Sequence, residues 1–354
     1  MTSGTTPPAA GRGSVSAGFT DHLFRHAVAQ GADPAILARR AGLRVEMLGN
    51  PDRRIPLAQY MALMRAAQDL CRSPSLALHV GAARDFREFS IAGLICYAAP
   101  TMGEALRQLN RYGRLAMDVQ LPQVGPRFQL VPRADGLWLV DGRADPNAFP
   151  ELTESTWSRF IAETARHFPH AAFAQEVHVT HARPAYGDLC AALWKVPVVF
   201  DAAWNAIRID PSWLNIPLHN PSQYAFGILS AHADTLLAEL ESARTARGRV
   251  EAALLPILHT GDGGMDRVAA ALGLSRQSLY RQLKAEGTRF DAVLDGLRFR
   301  LAVAYLMGRK ASVNEVAYLV GFSEPSAFSR AFKRWTGVSP RHYQPHAGQA
   351  GPDA

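Results

Sequence analysis

The feature that most constrains this 354-residue chain is a repeat near its C-terminal end. Val268-Ala269-Ala270-Ala271-Leu272-Gly273-Leu274-Ser275 aligns with Val316-Ala317-Tyr318-Leu319-Val320-Gly321-Phe322-Ser323 at a constant offset of 48 residues. One inserted residue later the match resumes at an offset of 49, with Leu279-Tyr280-Arg281-Gln282-Leu283-Lys284 against Phe328-Ser329-Arg330-Ala331-Phe332-Lys333. Self-similarity of this kind means one supersecondary unit used twice. Each copy reads as a short helix with Val and Ala on its inner face, then a glycine free to turn left-handed, then a serine placed to cap a second helix. Ser275 and Ser323 hold the two cap positions, and Pro325 suits a first helical turn, where its missing N–H costs little. Leu279 with Leu283, and Phe328 with Phe332, recur at i, i+4 and face the first helix, which leaves Arg, Lys, Gln, Ser and Tyr on the opposite face.

That pattern describes a helix-turn-helix whose second helix has the size and charge to lie in a DNA major groove. Between the copies, Phe290, Val293, Leu294, Leu297, Leu301, Ala304 and Tyr305 mark a helix reaching about Gly308, and Ser312-Val313-Asn314-Glu315 supplies a capping box for the next one. A linker helix of about 19 residues would be roughly 28 Å long. Successive major-groove faces on one side of B-DNA lie roughly 34 Å apart, so the linker could hold both second helices in adjacent turns of one duplex. Charge agrees: residues 259–345 carry 13 Lys and Arg against 7 Asp and Glu, so this quarter holds +6 of the chain's net +7. A polyanion-binding module and a merely solvated basic surface both fit that excess.

The preceding two-thirds reads as α+β. Ile55, Leu57, Tyr60, Met61, Met64, Ala67 and Leu70 recur at helical steps, as do Leu106, Leu109, Tyr112 and Leu115, so the span from Phe19 to about Leu115 reads as helical. Phe128, Leu130, Leu137 and Leu139 shift to a period of two around the turn Arg133-Ala134-Asp135-Gly136, which predicts a hairpin. A helix over about Phe149 to Phe168 follows, then strand-like runs at Glu176 to Val179, Val196 to Phe200 and Ala206 to Ile209, and a long helix from about Pro221 to Ala246. The domain boundaries expected are therefore a disordered tail over 1–18, an α+β domain over 19–220, a helical linker over 221–249 that is a candidate for dimerisation, an all-α domain with two helix-turn-helix motifs over 250–344, and a second tail over 345–354. Composition excludes a wholly disordered chain, with 48% hydrophobic residues. No apolar run approaches the length of a membrane span, and no signal-like start is present, so a cytoplasmic, nucleoid-associated protein without membrane contact is expected. Cys71, Cys96 and Cys190 are odd in number and far apart, which argues against a disulfide framework or a zinc site.

The run from Gly321 to Pro340, GFSEPSAFSRAFKRWTGVSP, closely resembles the signature of AraC/XylS-type transcription regulators, and with the upstream copy the resemblance covers about residues 250–344. The N-terminal part resembles the arabinose-binding-type regulatory domain of one branch of that family through Ile55-Pro56-Leu57-Ala58-Gln59-Tyr60, Gly103-Glu104-Ala105-Leu106 and Pro197-Val198-Val199-Phe200 with Asn205. The resemblance implies an effector-sensing first domain and ligand-controlled regulation, more often activation, of promoters. Its implied partners are double-stranded promoter DNA, a small-molecule effector, RNA polymerase and a second copy of the chain, with no cofactor and no metal. Carried over by position, the first recognition helix presents Arg276, Gln277, Tyr280, Arg281 and Lys284, and the second presents Glu324, Ser326, Arg330, Lys333 and Arg334. Arg281 and Arg330 suit bidentate contact with guanine O6/N7 or a phosphate contact alone, Gln277 suits adenine, and Lys284, Lys333 and Arg334 suit phosphates. Glu324 could accept from cytosine N4 or cap its own helix. Effector-contacting residues are not identified.

Other signals carry less. Gly93-Leu94-Ile95-Cys96-Tyr97-Ala98-Ala99 resembles a nucleophile elbow only superficially, because it lacks the small-residue spacing, and Cys96 reads as a buried core thiol. His178 and His181 are three apart in a strand-like run and so point to opposite faces, against a shared metal. Asp262-Gly263-Gly264 lacks the Lys-Ser/Thr of a phosphate loop. Trp138, Trp157, Trp194, Trp204 and Trp213 read as core or as pocket lining. An enzyme aimed at DNA would need a nucleophile or metal site not found here, and an architectural protein would bind all sequences alike.

Overall fold

A computed structural model of the chain describes residues 13–121, 125–171, 173–218, 223–307 and 311–343. It divides into two units, Met1–Leu237 and Ala238–Ala354. The first opens with strand β1 (Ser14–Ser16), which lies between β2 (Arg54–Pro56) and β3 (Met117–Asp118) in a small antiparallel sheet. Residues 14–18 are therefore not part of a disordered tail: Ser14–Ser16 have no periodicity of their own and are held by backbone pairing with partners about 40 and 100 residues away, which local pattern reading does not register. Residues 1–12 and 344–354 lie outside the described residues.

Helix α1 (Ala17–Ala29) is capped by the Ser16 hydroxyl, which accepts from the Phe19 amide, and α2 (Pro34–Ala41) is capped by Asp33 and closed by Gly42 in the left-handed region. Helix α3 (Leu57–Leu70) starts after β2, so Ile55 belongs to a strand and not to the helix its spacing suggested. Helices α4 (Leu76–Ala83), α5 (Ile91–Tyr97) and α6 (Met102–Ala116) follow, the last capped at Thr101. The apolar stripes of α1 to α4 meet in a core that includes Leu23, Leu37, Ile55, Leu63 and Met64, while Cys96 of α5 and Ala105 of α6 pack in a smaller cluster.

The expected hairpin forms as β4 (Phe128–Arg133) and β5 (Gly136–Asp141), with Phe128 opposite Asp141 and Arg133 opposite Gly136. After α7 (Pro150–His167) come β6 (Ala174–His178), α8 (Gly187–Trp194), β7 (Val198–Val199) and β8 (Ala206–Ile209). These strands make a five-stranded sheet in the order β4-β5-β8-β6-β7, antiparallel except between β6 and β7. Its apolar face packs with Trp157 of α7 and with Trp194 and Trp213, and Trp138 of β5 is buried as well, so four of the five candidate tryptophans are core residues.

Helix α9 (Gln223–Ser242) is shorter than expected, because the chain breaks at Ala243–Arg244 and Thr245 caps a new helix, α10 (Ala246–Leu254). Ala246, Val250 and Leu254 of α10 pack in the core of the first helix-turn-helix, so residues 246–249 belong to the C-terminal unit and not to a linker. The remaining helices are α11 (Met265–Ala271), α12 (Arg276–Ala285), α13 (Phe290–Met307), α14 (Val313–Leu319) and α15 (Pro325–Thr336). Two adjoining cores hold them, one around Leu279, Leu283 and Val293, the other around Phe299, Phe328 and Phe332.

Candidate nucleic-acid interface and effector cavity

The two repeats fold as two helix-turn-helix units with the same closure. Helix α11 ends at Gly273, φ 67°, and the Leu274 amide donates back to the Ala269 carbonyl at 2.9 Å. Helix α14 ends at Gly321, φ 81°, and the Phe322 amide donates to the Ala317 carbonyl at 2.9 Å. Ser275 caps α12 by accepting from the Ser278 amide at 3.2 Å, and the Ser312–Glu315 capping box forms in full at the start of α14. The second helix of the second copy departs from expectation. The inserted residue moves its N-cap from Ser323 to Glu324, whose side chain makes no cap hydrogen bond, and Pro325 starts α15.

The second unit is also fastened to the linker helix. From α13, Arg298 donates to the Val320 carbonyl through Nε (3.1 Å) and to the Gly321 carbonyl through Nη2 (3.0 Å), and its guanidinium lies 4.6 Å from the Phe322 ring centre. These are carbonyls that the end of α14 leaves without helical partners.

Leu279, Leu283, Phe328 and Phe332 are fully buried, which turns the opposite arcs of α12 and α15 to solvent. Arg276, Gln277, Tyr280, Arg281 and Lys284 are all exposed, as are Glu324, Ser326, Arg330, Lys333 and Arg334. Two of these are engaged: Arg276 pairs with Asp266 at 2.7 Å, and Arg334 pairs with Asp295 of α13 at 2.9 Å. The Asp295 carboxylate also accepts from the Trp335 indole, so Arg334 is tied to the body of the unit and would have to exchange that partner to reach a phosphate. The side chains of Arg281, Gln277, Lys284, Arg330 and Lys333 make no hydrogen bond or ion pair among the described residues.

The first unit holds a cavity of about 170 Å³ between α5, α6 and α7, walled by apolar side chains such as Leu106, Phe128, Phe160 and Trp213. Its charged members are Arg159, Glu163, Arg127 and Arg114, the last paired with Asp118 at 3.2 Å, and Asn110, Thr156, Thr164 and Tyr97 are among its other polar ones. Arg127 is committed to Asp141 at 2.8 Å. Cys96 also lines the cavity; burial pushes its thiol up to about 12 and it donates to the Ala105 carbonyl, so it is no nucleophile. His178 bonds to Glu176 and Trp204, whereas His181 faces Glu154, so the two histidines share no site. Asp85, Glu163 and His167 do converge within 4.8 Å, a cluster not legible in the sequence because Asp85 lies about 80 residues before the Glu163/His167 pair on α7. Arg87, Arg166, Tyr97 and the Phe86 amide occupy those carboxylates, which makes the cluster an ion-pair network.

A family model described as the arabinose-binding domain of AraC transcription regulator matches residues 31–218, and a helix-turn-helix domain model matches residues 268–346. The chain belongs to the AraC family of transcription regulators. Within it, the ornithine utilization regulator of Pseudomonas aeruginosa is 28% identical over 340 residues, covering 93% of this chain and 96% of that protein. The transcriptional regulator VirS of Mycobacterium tuberculosis is 28% identical over 154 residues, 44% of this chain and 45% of its own. The transcriptional activator NphR of a Rhodococcus species is 34% identical over 103 residues, 29% of this chain and 31% of its own. As an AraC-family member the protein is a DNA-binding transcription regulator with an effector-binding first domain, and not an enzyme. No helix among its described residues is long and apolar enough to cross a membrane.

Proposed function

We propose that this AraC-family regulator reads promoter DNA by placing α12 and α15 in adjacent major grooves, acting inside the cell on the nucleoid. Arg281, Gln277 and Tyr280 read bases from α12, and Arg330 and Ser326 read them from α15. Arg276, Lys284, Lys333 and Arg334 contact phosphates, and Glu324 faces the groove at the start of α15. The observation that carries this reading is the exposed, uncommitted arc of Arg281, Gln277, Lys284 and Arg330, on helices whose other face is buried. Effector binding in the first unit shifts the population able to bind DNA, and α9 carries the chain from that unit to the second. The active species is a homodimer that activates transcription through contact with RNA polymerase. In α9, Tyr224 at 81% and Ile228 at 55% exposure are the apolar side chains available to a second copy.

The test is DNA binding by the Arg281→Ala variant at the sites the wild-type protein occupies in its host. Loss of one bidentate base contact predicts about 1–3 kcal/mol weaker binding at those sites and little change on random DNA. Lys284→Ala should weaken both alike and lower the salt dependence by about one counterion. Equal losses on specific and random DNA for Arg281→Ala would make Arg281 a phosphate contact, and similar affinity of the wild-type protein for both DNAs would make it an architectural binder. Deleting the first unit without altering response to any effector would remove the coupling.

A further inference from the structure

We propose that the cavity of the first unit takes a small monocarboxylate, its charge met by Arg159 and its apolar body lying between α5, α6 and α7. This rests on the reading of that unit as the effector-responsive part of the protein.

Arg159 projects from α7 onto the cavity wall and is 8% exposed, yet among the described residues neither Nη1 nor Nη2 has a hydrogen-bond partner. Its guanidinium lies 4.9 Å from the ring centres of Phe19 and Phe89 and 5.8 Å from that of Phe86. Ring faces recover only part of what a guanidinium loses on leaving water, so a buried cation with no hydrogen-bonded anion is a site waiting for one. Burial lowers its pKa to about 10, which leaves it charged at neutral pH.

Among the described residues no carboxylate bonds to Arg159, and the charge of Glu163 reaches it only through space. Tyr60 and His22 are the polar side chains packed beside the guanidinium from α3 and α1; burial raises the Tyr60 pKa and pushes His22 down to about 3, so both are neutral. The Tyr60 hydroxyl and His22 Nδ1 also have no partner among the described residues, though neither residue lines the cavity and Arg159 does. Glu163, one turn along α7, is spent elsewhere. One oxygen accepts from the Phe86 amide at 3.1 Å and from Arg166 at 2.8 Å, and the other accepts from the Tyr97 hydroxyl.

The same geometry limits the ligand. A planar fork of two N–H-bearing nitrogens matches a carboxylate, and one unpaired cation matches a monoanion. With Glu163 occupied no anionic group remains for an ammonium, so a simple acid is favoured over an amino acid. The cavity's 170 Å³ is close to the roughly 150 Å³ that admits benzene in an engineered protein core, which sets the body at one ring or a short branched chain.

Calorimetric titration of the full-length protein with benzoate, benzamide and phenylglycine separates the possibilities without any variant. Benzoate should bind with one-to-one stoichiometry, and the neutral amide and the zwitterion should each bind about 10- to 100-fold more weakly, the range for losing one charged hydrogen-bonded contact. Arg159→Met should lose benzoate affinity by a similar factor while its Tm without ligand stays level or rises, because an uncompensated charge has been removed; Arg159→Lys should recover part of the binding. Equal affinity for benzoate and benzamide overturns the proposal. So does the absence of binding by benzoate, cyclohexanecarboxylate and isovalerate together, or a sharp fall in the ligand-free Tm of Arg159→Met, which would mark Arg159 as a structural clamp among phenylalanines. Promoter occupancy that answers to some other class of compound in those cases would leave the effector-responsive reading intact, whereas occupancy indifferent to compounds and to deletion of the first unit would end it.

Discussion

Gly321→Ala is expected to destabilise the second helix-turn-helix by about 3 kcal/mol or more, while Gly273→Ala at the matching position of the first copy costs about 1 kcal/mol. Both glycines sit in the left-handed region, φ 81° and 67°, so both alanines incur the same backbone strain. They differ in what a methyl group would meet. At Gly273 nothing lies within 4 Å, whereas at Gly321 a Cβ would fall deep inside the van der Waals radius of the Leu258 carbonyl oxygen, an atom of the main chain that cannot rotate away. Amide hydrogen exchange read separately over α11–α12 and α14–α15 resolves the two effects. Equal loss of protection in the two variants would refute the packing argument.

Asp141→Ala should cost the first unit about 3–5 kcal/mol, the range for removing one partner from a buried ion-pair network. The Asp141 side chain is fully buried at the end of β5, between Arg127 at 2.8 Å and Arg143 at 2.9 Å, and Arg143 also donates to the Thr153 hydroxyl on α7. Removing the carboxylate leaves two cations facing each other without it. Burial by itself would raise the Asp141 pKa, but the charges and hydrogen bonds of Arg127 and Arg143 outweigh it and hold the acid at about 2, below its ordinary 3.8. A depressed acid stabilises the fold fully above the unfolded-state value and loses that contribution as pH falls through the folded-state value. The stability gap between wild type and Asp141→Ala, from urea denaturation, should therefore be constant above about pH 5 and shrink between about pH 4 and pH 2. A gap under 1 kcal/mol at pH 7, or one that widens in acid, would contradict this account.

The parts of the fold legible in the sequence were those decided by neighbours in the chain. Gly273 and Gly321 mark the two turns, Ser312 and Glu315 cap each other, and Phe128, Leu130, Leu137 and Leu139 alternate across a tight hairpin, all within a few residues. The exposed arcs of α12 and α15 were legible for the same reason, since a helix with Leu279 and Leu283 on one side must show Arg281 and Lys284 on another. What failed depended on distant partners or on a single inserted residue. Ser14–Ser16 become a strand only because Arg54–Pro56 and Met117–Asp118 run alongside, and the residue inserted after Ser323 gives the cap position to Glu324. Arg159 drew no notice in the sequence because an arginine on an amphipathic helix is ordinarily solvated. It is buried by Phe19, Phe86 and Phe89, which come from elements 70 or more residues upstream.

Arg298 bears on how target sites of such a regulator evolve. Because this side chain clasps the turn of the second reading unit to the helix that follows the first, the distance and rotational phase between the two units belong to the protein and not to its operator. One extra base pair between the two halves of a site would turn one half about 35° away from its reader, a mismatch that no change of base can repair. Operators for this protein should therefore diverge by substitution at fixed spacing, and insertions or deletions between the half-sites should be nearly absent among them.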